Sequence, residues 1–175
     1  MRVVCPADEA ELVDALPAIL DEPGPCYVRY NARPPAVDHA APYALGSAEV
    51  LSRGEGVGIL TYGLLVREAV EARAILEERG VPVRLVNLRS LAPVDEAAIL
   101  EAARKTWLLV TLEDHFLSGG LHTLVAELML RHRVSPRPLA IALEARWFKP
   151  ALLPDVLRHE GFTGAAIAQR ILDAL

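Results

Sequence analysis

The sequence has few cysteines and lacks a long apolar run. Its 175 residues include two cysteines, Cys5 and Cys26, and no CxxC motif. The chain therefore has too few cysteines for a disulfide scaffold and too few thiolate ligands for a zinc site. Apolar runs such as WLLV at 107–110 are far shorter than the roughly 20 residues that a membrane span needs. The opening MRVVCPADEAEL carries acids where a signal peptide needs a long apolar stretch. These absences favour a cytoplasmic protein that does not enter a membrane.

Positive charge is also scarce. Eighteen Lys plus Arg against 23 Asp plus Glu give a formal charge of −5, the wrong sign for a protein that binds phosphate backbones, so we expect no nucleic-acid partner. Lys105 and Lys149 are the only lysines, and the other cations are arginines. Because this bias inflates the arginine count, a single arginine is weak evidence of phosphate binding.

The residues that are present predict an α/β fold. With 53% apolar residues, the chain is long enough to bury one full core. Short β-branched runs alternate with longer helical patterns, which is typical of a three-layer, open, mostly parallel sheet. The strands are predicted at 2–5, 26–30, 57–62, 81–88, 107–112 and 139–143. The helices are predicted from a cap at Asp8 to about residue 20, and at 64–79, 93–104, 121–133, 151–159 and 163–175.

A proline-rich stretch at 31–42 without periodicity divides the chain. We expect one unit at residues 1–37 and a second at 38–175. The first holds two predicted strands and one helix, too little to bury a core of its own. It is interpreted either as the tail of a domain whose remainder is absent from this chain, or as an arm laid on the second unit.

Candidate binding residues follow the predicted strands, because ligands of open α/β sheets lie beyond the carboxyl ends of strands. Arg29 ends one strand, and its forked guanidinium suits a phosphate or carboxylate ligand. A structural ion pair is the alternative interpretation of Arg29.

The segment EDHFLSGGLH is the other candidate. Glu113, Asp114 and His115 leave a strand, and Gly119 and Gly120 open a helix. Unoccupied amides at that helix start would bind an anion, and His115 beside Asp114 would move protons. The alternative is that the glycines allow a tight turn and close helix packing.

The other reactive or aromatic side chains are not expected to take part in catalysis. The sequence has no GxSxG, HExxH, GxGxxG or Walker motif. Cys5 is expected to be a small buried residue, His39 and His159 to lie on the surface, and Trp147 and Phe148 to lie in the core. No catalytic residue and no metal ligand is predicted in this chain.

Three blocks in order resemble the C-terminal domain of the transketolase family. They are TYGLLVREAVEARAILEERGVPVRLVNLRSLAPVD, WLLVTLEDHFLSGGLHTLVAEL and FKPALLPDVLRHEGFTGAAIAQRI, and the likeness covers about residues 43–175. The family includes transketolase, deoxyxylulose-phosphate synthase and the beta subunits of 2-oxo acid dehydrogenases. The stretches VVCPADEAELVDALPAIL and GPCYVRYNARP resemble the last strand, helix and strand of the family's pyrimidine-binding domain.

The resemblance implies a cofactor that this chain does not hold alone. Family members bind thiamine diphosphate and Mg²⁺ between a diphosphate-binding domain, with a Gly-Asp-Gly metal motif, and a pyrimidine-binding domain, whose glutamate activates the cofactor. The sequence has no Gly-Asp-Gly motif followed by Asn, and the glutamate-bearing segment would lie upstream of Met1. We therefore expect thiamine diphosphate and Mg²⁺ only in an assembled enzyme.

The resemblance also implies roles for the candidate residues. Arg29 falls where relatives of the sugar-phosphate type place an arginine that grips the substrate phosphate. His122 departs from the family pattern, since many relatives have glycine there. A place at the subunit interface or the active-site mouth is implied for Glu113, Asp114, His115, Gly119 and Gly120.

The sequence therefore predicts the C-terminal portion or subunit of a transketolase-type enzyme that transfers a two-carbon ketol unit between sugar phosphates. It would be inactive without chains that carry the diphosphate-binding and pyrimidine-binding domains, in a homo- or hetero-oligomer. The alternatives are a stand-alone regulatory or assembly module, or the C-terminal piece of a deoxyxylulose-phosphate synthase or a 2-oxo acid dehydrogenase beta subunit. As one portion of a larger enzyme, the chain is expected to leave strand edges and apolar surface open around 2–30.

Overall fold

Eight strands and six helices follow one another along the residues that the structure, a computed structural model, describes, 1–147 and 150–175. The strands are β1 (Arg2–Val4), β2 (Cys26–Val28), β3 (Glu49–Val50), β4 (Val57–Thr61), β5 (Val83–Asn87), β6 (Ser90–Ala92), β7 (Leu108–Phe116) and β8 (Arg137–Leu143). The helices are α1 (Glu9–Asp21), α2 (Val66–Glu78), α3 (Glu96–Lys105), α4 (Leu121–His132), α5 (Leu153–His159) and α6 (Gly164–Asp173), with a short 3₁₀ turn at Gly63–Leu65 before α2.

The main sheet has five strands in the order β3-β5-β4-β7-β8. Strands β5, β4, β7 and β8 are parallel, and the two-residue β3 adds an antiparallel edge. The β-branched and leucine runs of β4, β5 and β7 are buried on both faces, as expected for parallel strands covered by helices. The predicted mostly parallel α/β sheet is confirmed.

Two apolar cores lie on opposite faces of this sheet. Alternate residues of each strand point to opposite faces, so Ile59 of β4 packs in one core and the adjacent Leu60 packs in the other. One core is closed by α2, α5 and α6, and the other by α3 and α4. The result is the predicted three-layer arrangement of helix, sheet and helix.

A second, three-stranded sheet joins the N-terminal segment to the rest. We call residues 2–30 the arm. Its strands β1 and β2 are parallel, and β1 also pairs antiparallel with β6 from the second part of the chain. The arm therefore shares a sheet with the remainder of the molecule.

Helix α1 of the arm turns apolar side chains outward. The Asp8 carboxylate accepts the amide N–H of Glu11 at 3.1 Å and caps the helix, as predicted. Along the helix, however, Val13, Leu16 and Leu20 are 58%, 43% and 78% exposed. The outer strand β2 also exposes Tyr27. The expected open apolar surface and open strand edge are both present in the arm.

Four elements differ from the sequence-based prediction. Strands β3 and β6 were not predicted, and the helix expected to open at Pro93 begins at Glu96, where the Asp95 side chain accepts the Ala98 amide. Strand β7 continues four residues beyond Leu112, because Phe116 still pairs with Leu143 of β8. The two added strands and the longer β7 arise from pairing with distant strands, which local patterns do not record, whereas the later start of α3 follows from the local cap at Asp95. No helix within 1–147 or 150–175 is long and apolar enough to cross a bilayer.

Candidate functional site

The carboxyl ends of several strands meet around one cleft of about 560 Å³. Strands β4 and β7 of the main sheet and β2 of the arm all end there, so residues far apart in sequence share one wall. The lining includes six residues singled out by their sequence or position, which are Cys5, Arg29, Tyr62, His115, Gly119 and Gly120.

Arg29 and Asp114, predicted separately as site residues, are ion-paired at the cleft. The guanidinium donates from Nη1 to Asp114 Oδ1 at 2.7 Å and from Nη2 to Oδ2 at 2.9 Å, with a further bond to the Asp114 carbonyl at 3.1 Å. The guanidinium carbon also lies 5.7 Å from the ring centroid of Tyr62. Burial disfavours the charge, but the hydrogen bond to Asp114, the charge of that carboxylate and smaller contributions from Tyr62 and Cys5 together outweigh burial and raise the pKa of Arg29. Arg29 is thus a fixed, permanently charged group at the wall of the cleft.

This geometry bears on both interpretations of Arg29. The structural ion pair is present, and it occupies both terminal nitrogens of the guanidinium. A phosphate that approached the same edge would compete with the Asp114 carboxylate or share the arginine with it. The contact with a substrate phosphate stays a prediction.

Glu113 lies inside the molecule and caps helix α4. Its carboxylate accepts the amide N–H groups of Leu121 at 2.6 Å and His122 at 2.9 Å, and the residue is fully buried. Burial raises the pKa of Glu113, although these amide hydrogen bonds act in the opposite direction. The first amides of α4 already have an internal carboxylate, so this helix start offers no open anion site.

Gly120 is required by the same contact. A Cβ at this position would collide with the Glu113 carboxylate and come within 2.8 Å of the Phe116 carbonyl oxygen. Gly119, in the turn before α4, has φ +79°, a backbone conformation that favours glycine. Both glycines therefore fit the second interpretation of this segment, in which they allow a tight turn and close helix packing.

His115 does not pair with Asp114. Its Nδ1 lies 2.9 Å from the carbonyl oxygen of Phe116, while the Asp114 carboxylate is held by Arg29. His115 is exposed, as are the apolar Phe116 and Leu117 beside it. The arrangement offers no proton relay here, and the place of this turn at an interface or active-site mouth stays a prediction.

His39 was expected on the surface, and this was wrong. Its side chain is 5% exposed and lies among carboxylates, 2.7 Å from Glu49 and 3.0 Å from Asp8. These partners lie 10 and 31 positions away in the sequence, and the segment around His39 has no periodicity, so no sequence signal points to the cluster.

Of the remaining predictions, some are confirmed and one is wrong. Cys5 is fully buried, and burial raises the pKa of its thiol to about 12, which confirms a structural cysteine. His159 is exposed, as expected. Trp147 is 95% exposed and does not lie in the core, because it follows the end of β8 where no described helix covers it. Phe148 lies outside the described residues.

Among the described residues, the one cluster with metal-ligand side chains does not fit thiamine diphosphate or Mg²⁺. It consists of three side chains of types that can ligate a metal, Glu11, His39 and Glu49. Both His39 nitrogens already face carboxylates, and the Arg89 guanidinium is 3.5 Å from Glu11. The cluster is also closed from solvent and rich in negative charge, so a diphosphate would be repelled.

Replacing Gly120 by alanine tests the packing of the α4 start. We expect Gly120→Ala to lower the free energy of unfolding by about 1–3 kcal/mol, because Glu113 must move off the helix amides to admit the methyl group. Urea denaturation followed by circular dichroism measures the change. Ser118→Ala, in the exposed part of the same turn, is the control and should stay within about 0.5 kcal/mol of the parent. Equal stability of Gly120→Ala and the parent would contradict the proposed constraint.

The comparisons with known proteins agree on one domain. Residues 46–167 match the family described as "Transketolase, C-terminal domain". A 1-deoxy-D-xylulose-5-phosphate synthase from Dictyoglomus thermophilum is 31% identical over 100% of this chain and 29% of its own length. A "Putative transketolase C-terminal section" from Methanocaldococcus jannaschii is 28% identical over 100% of this chain and 56% of its own length.

Solved structures give the same result. A structure described as "Split gene transketolase, inactive beta4 tetramer" superposes with a TM-score of 0.90 at 28% identity, covering 100% of this chain and 58% of the other. A Pichia stipitis transketolase, 19% identical, shares the fold with a TM-score of 0.73 over 98% of this chain and 25% of its own. This chain spans less than two thirds of each of these relatives. Because the family match covers most of the length of this chain, the chain belongs to the transketolase C-terminal-domain family.

Proposed function

We propose that this chain is the C-terminal portion of a thiamine diphosphate-dependent, transketolase-type enzyme that works in the cytoplasm and transfers a two-carbon ketol unit between sugar phosphates. It acts only together with chains that carry the diphosphate-binding and pyrimidine-binding domains. Two findings support the proposal: its family, and the described residues, whose chemistry suits binding and assembly better than bond breaking. The cofactor, when bound by the partner domains, supplies the carbanion chemistry.

The observation that carries the proposal is the charged Arg29 at the cleft. It lies at the end of β2, is held rigidly by Asp114 and faces a cavity large enough for a small ligand. A fixed guanidinium would position the phosphate end of a sugar phosphate, and that remote binding energy would assist the reacting centre. Phosphorylated sugars are therefore favoured over 2-oxo acids.

The exposed side of the arm supports a partner chain. Helix α1 presents Val13, Leu16 and Leu20, and the outer strand β2 has an unpaired edge beside Tyr27. We assign this surface to the remainder of the pyrimidine-binding domain on the partner chain, because strands and helices of the same domain would both continue the sheet and cover the apolar face.

A second candidate is the C-terminal piece of a 1-deoxy-D-xylulose-5-phosphate synthase. The 31% identical relative from Dictyoglomus thermophilum carries that name. Both candidates place a phosphate-bearing substrate near Arg29, so the substrates accepted by the assembled enzyme decide between them.

Reconstitution tests the proposed function directly. The full chain is co-expressed with the proteins encoded beside it, and the purified complex is assayed for ketol transfer between sugar phosphates with and without thiamine diphosphate and Mg²⁺. We expect turnover by the complex with the cofactor and none by the chain alone. Deoxyxylulose-phosphate formation from pyruvate and glyceraldehyde phosphate would favour the second candidate. Ketose conversion by the lone chain, or tight binding of thiamine diphosphate to it in calorimetry, would contradict both.

Replacing Arg29 tests the phosphate contact. In the reconstituted enzyme, we expect Arg29→Met to raise KM for sugar phosphates about ten- to a hundredfold, since a charge-assisted hydrogen bond is worth about 1.5–3 kcal/mol. The KM for a non-phosphorylated sugar should stay the same. Arg158→Met, at an exposed arginine paired with Asp155, is the control.

The companion variant Asp114→Asn separates binding from structure. It weakens the ion pair but keeps the guanidinium, so it should preserve phosphate affinity while sharing any loss of stability with Arg29→Met. An equal loss of activity toward phosphorylated and non-phosphorylated sugars in Arg29→Met would contradict the phosphate contact.

Charging the apolar face of the arm tests the partner surface. The lone parent chain is expected to self-associate, and the double variant Leu16→Asp with Leu20→Asp should shift it toward monomer and block assembly with the partner chain. Light scattering and size-exclusion of the mixture report both effects. Leu130→Asp, at an 83% exposed leucine of α4, is the matched control. A clean monomeric parent chain, or a double variant that still assembles, would contradict the assignment.

A further inference from the structure

A buried charge cluster connects the arm, the segment after it and the main sheet. His39 lies in the linking segment, residues 31–42, and its two ring nitrogens face two carboxylates. Nδ1 is 2.7 Å from Glu49 Oε2, on β3, and Nε2 is 3.0 Å from Asp8 Oδ2, at the start of α1. One imidazole thus bridges the arm and the main sheet.

Glu11 of α1 extends the cluster toward β5. Its Oε1 accepts the Asn87 amide at 2.9 Å, and it lies 3.7 Å from His39 and 3.5 Å from Arg89. Its Oε2 accepts the backbone amide of Ala7 at 2.7 Å. The five ionisable side chains of the cluster are at most 6% exposed, so water does not screen their interactions.

The positions of the carboxylates favour a doubly protonated His39. A neutral imidazole donates from one nitrogen only, so its other lone pair would face a carboxylate oxygen at close range. The imidazolium donates to both Glu49 and Asp8. The hydrogen bond to Glu49 raises the pKa of His39 to about 9, against the effect of burial.

The groups that surround His39 on every packed element are consistent with this charge. Asp8 and Glu11 face it from α1, Glu49 faces it from β3, and Arg89 follows β5. Burial raises the pKa of Glu11 and disfavours ionisation of Glu49. For Glu49, the hydrogen bond from His39 and the positive charges of His39 and Arg89 together outweigh burial and lower the pKa.

Tyr43 completes the surroundings of His39. Arg89 packs over the Tyr43 ring at 5.6 Å, and burial raises the pKa of Tyr43 to about 12, so its hydroxyl stays neutral. Two cations therefore face three carboxylates, and removing the proton from His39 would leave the buried acids with one cation.

We propose that His39, as an imidazolium, is a protonation-dependent clamp that fastens helix α1 of the arm to the main sheet. The clamp is independent of any reaction. Because α1 follows β1, and Arg29 donates its backbone amide to Val4 of β1 at 2.8 Å, opening the clamp would loosen the strand pair that carries Arg29.

The direction of the pH effect follows from the pKa values. The folded pKa of His39 is raised above its ordinary 6.5, so its contribution is fully present below about 6.5 and is lost as the pH rises through about 9. The folded pKa of Glu49 is lowered, so its contribution is lost as the pH falls below the ordinary range of a glutamate. The clamp is closed near neutral pH.

Hydrogen exchange of the full chain tests the clamp. Protection of peptides from β1 and α1 is compared with that of β4 and β5 in the same sample, after correction for the intrinsic rate at each pH. In the parent, we expect the arm to lose about tenfold or more in relative protection between about pH 7 and about pH 9.5. His39→Gln should be poorly protected at both, and His159→Gln, at an exposed histidine, should match the parent.

Unchanged relative protection of the parent arm over that range, or an equal fall in His39→Gln, would overturn the proposal. Ring-nitrogen NMR of the parent gives a second readout that does not need a folded His39 variant. Substituting His115, His122, His132 and His159 one at a time assigns the remaining signal to His39. Its midpoint is expected near 9, and a midpoint near 6.5 would overturn the proposal.

Zn²⁺ and Mg²⁺ provide the last check. Titration of each ion into the parent chain in a calorimeter should show no binding at the cluster, because the protonated His39 has no free nitrogen lone pair for a metal and Arg89 already lies against Glu11. Tight binding that His39→Gln abolishes would replace the clamp with a metal site.

Discussion

The arm contains two short strands and one helix, which is too little material to enclose an apolar core, and this constraint governs the rest of the structure. The arm is held by directional contacts in addition to the packing of Val3 and Cys5 against one core of the main sheet. Strand β1 pairs with β6, Arg29 pairs with Asp114, and His39 joins Asp8 to the main sheet. These contacts use the inner side of the arm, and the apolar face of α1 is left outward.

The same constraint explains why charge is buried at the junction. A boundary made of apolar side chains alone would hold the arm without defining its position, whereas paired charges and hydrogen bonds have fixed directions. Asp8 is both the cap of α1 and a partner of His39, so the start of the helix and its attachment depend on one carboxylate. The site residue Arg29 is positioned by a segment whose placement depends on charge.

The motif EDH shows how much of the site was predictable. The sequence indicated that Glu113, Asp114 and His115 follow a buried strand, and that Gly119 and Gly120 open a helix. It did not show that the three polar residues separate into a buried cap, an ion pair and an exposed side chain. Successive residues of an extended strand point in different directions, so neighbours in sequence acquire different surroundings.

Local patterns by themselves determined most of the architecture. Periodicity and β-branched runs predicted the four parallel strands and the helices that cover them, since these depend on residues a few positions apart. Tertiary structure alone decided the pairing of β1 with β6, the contact of Arg29 with Asp114 and the burial of His39. The physical reason is separation along the chain. Arg29 and Asp114 are 85 positions apart, and each becomes a partner of the other only when the arm and the main sheet have folded together.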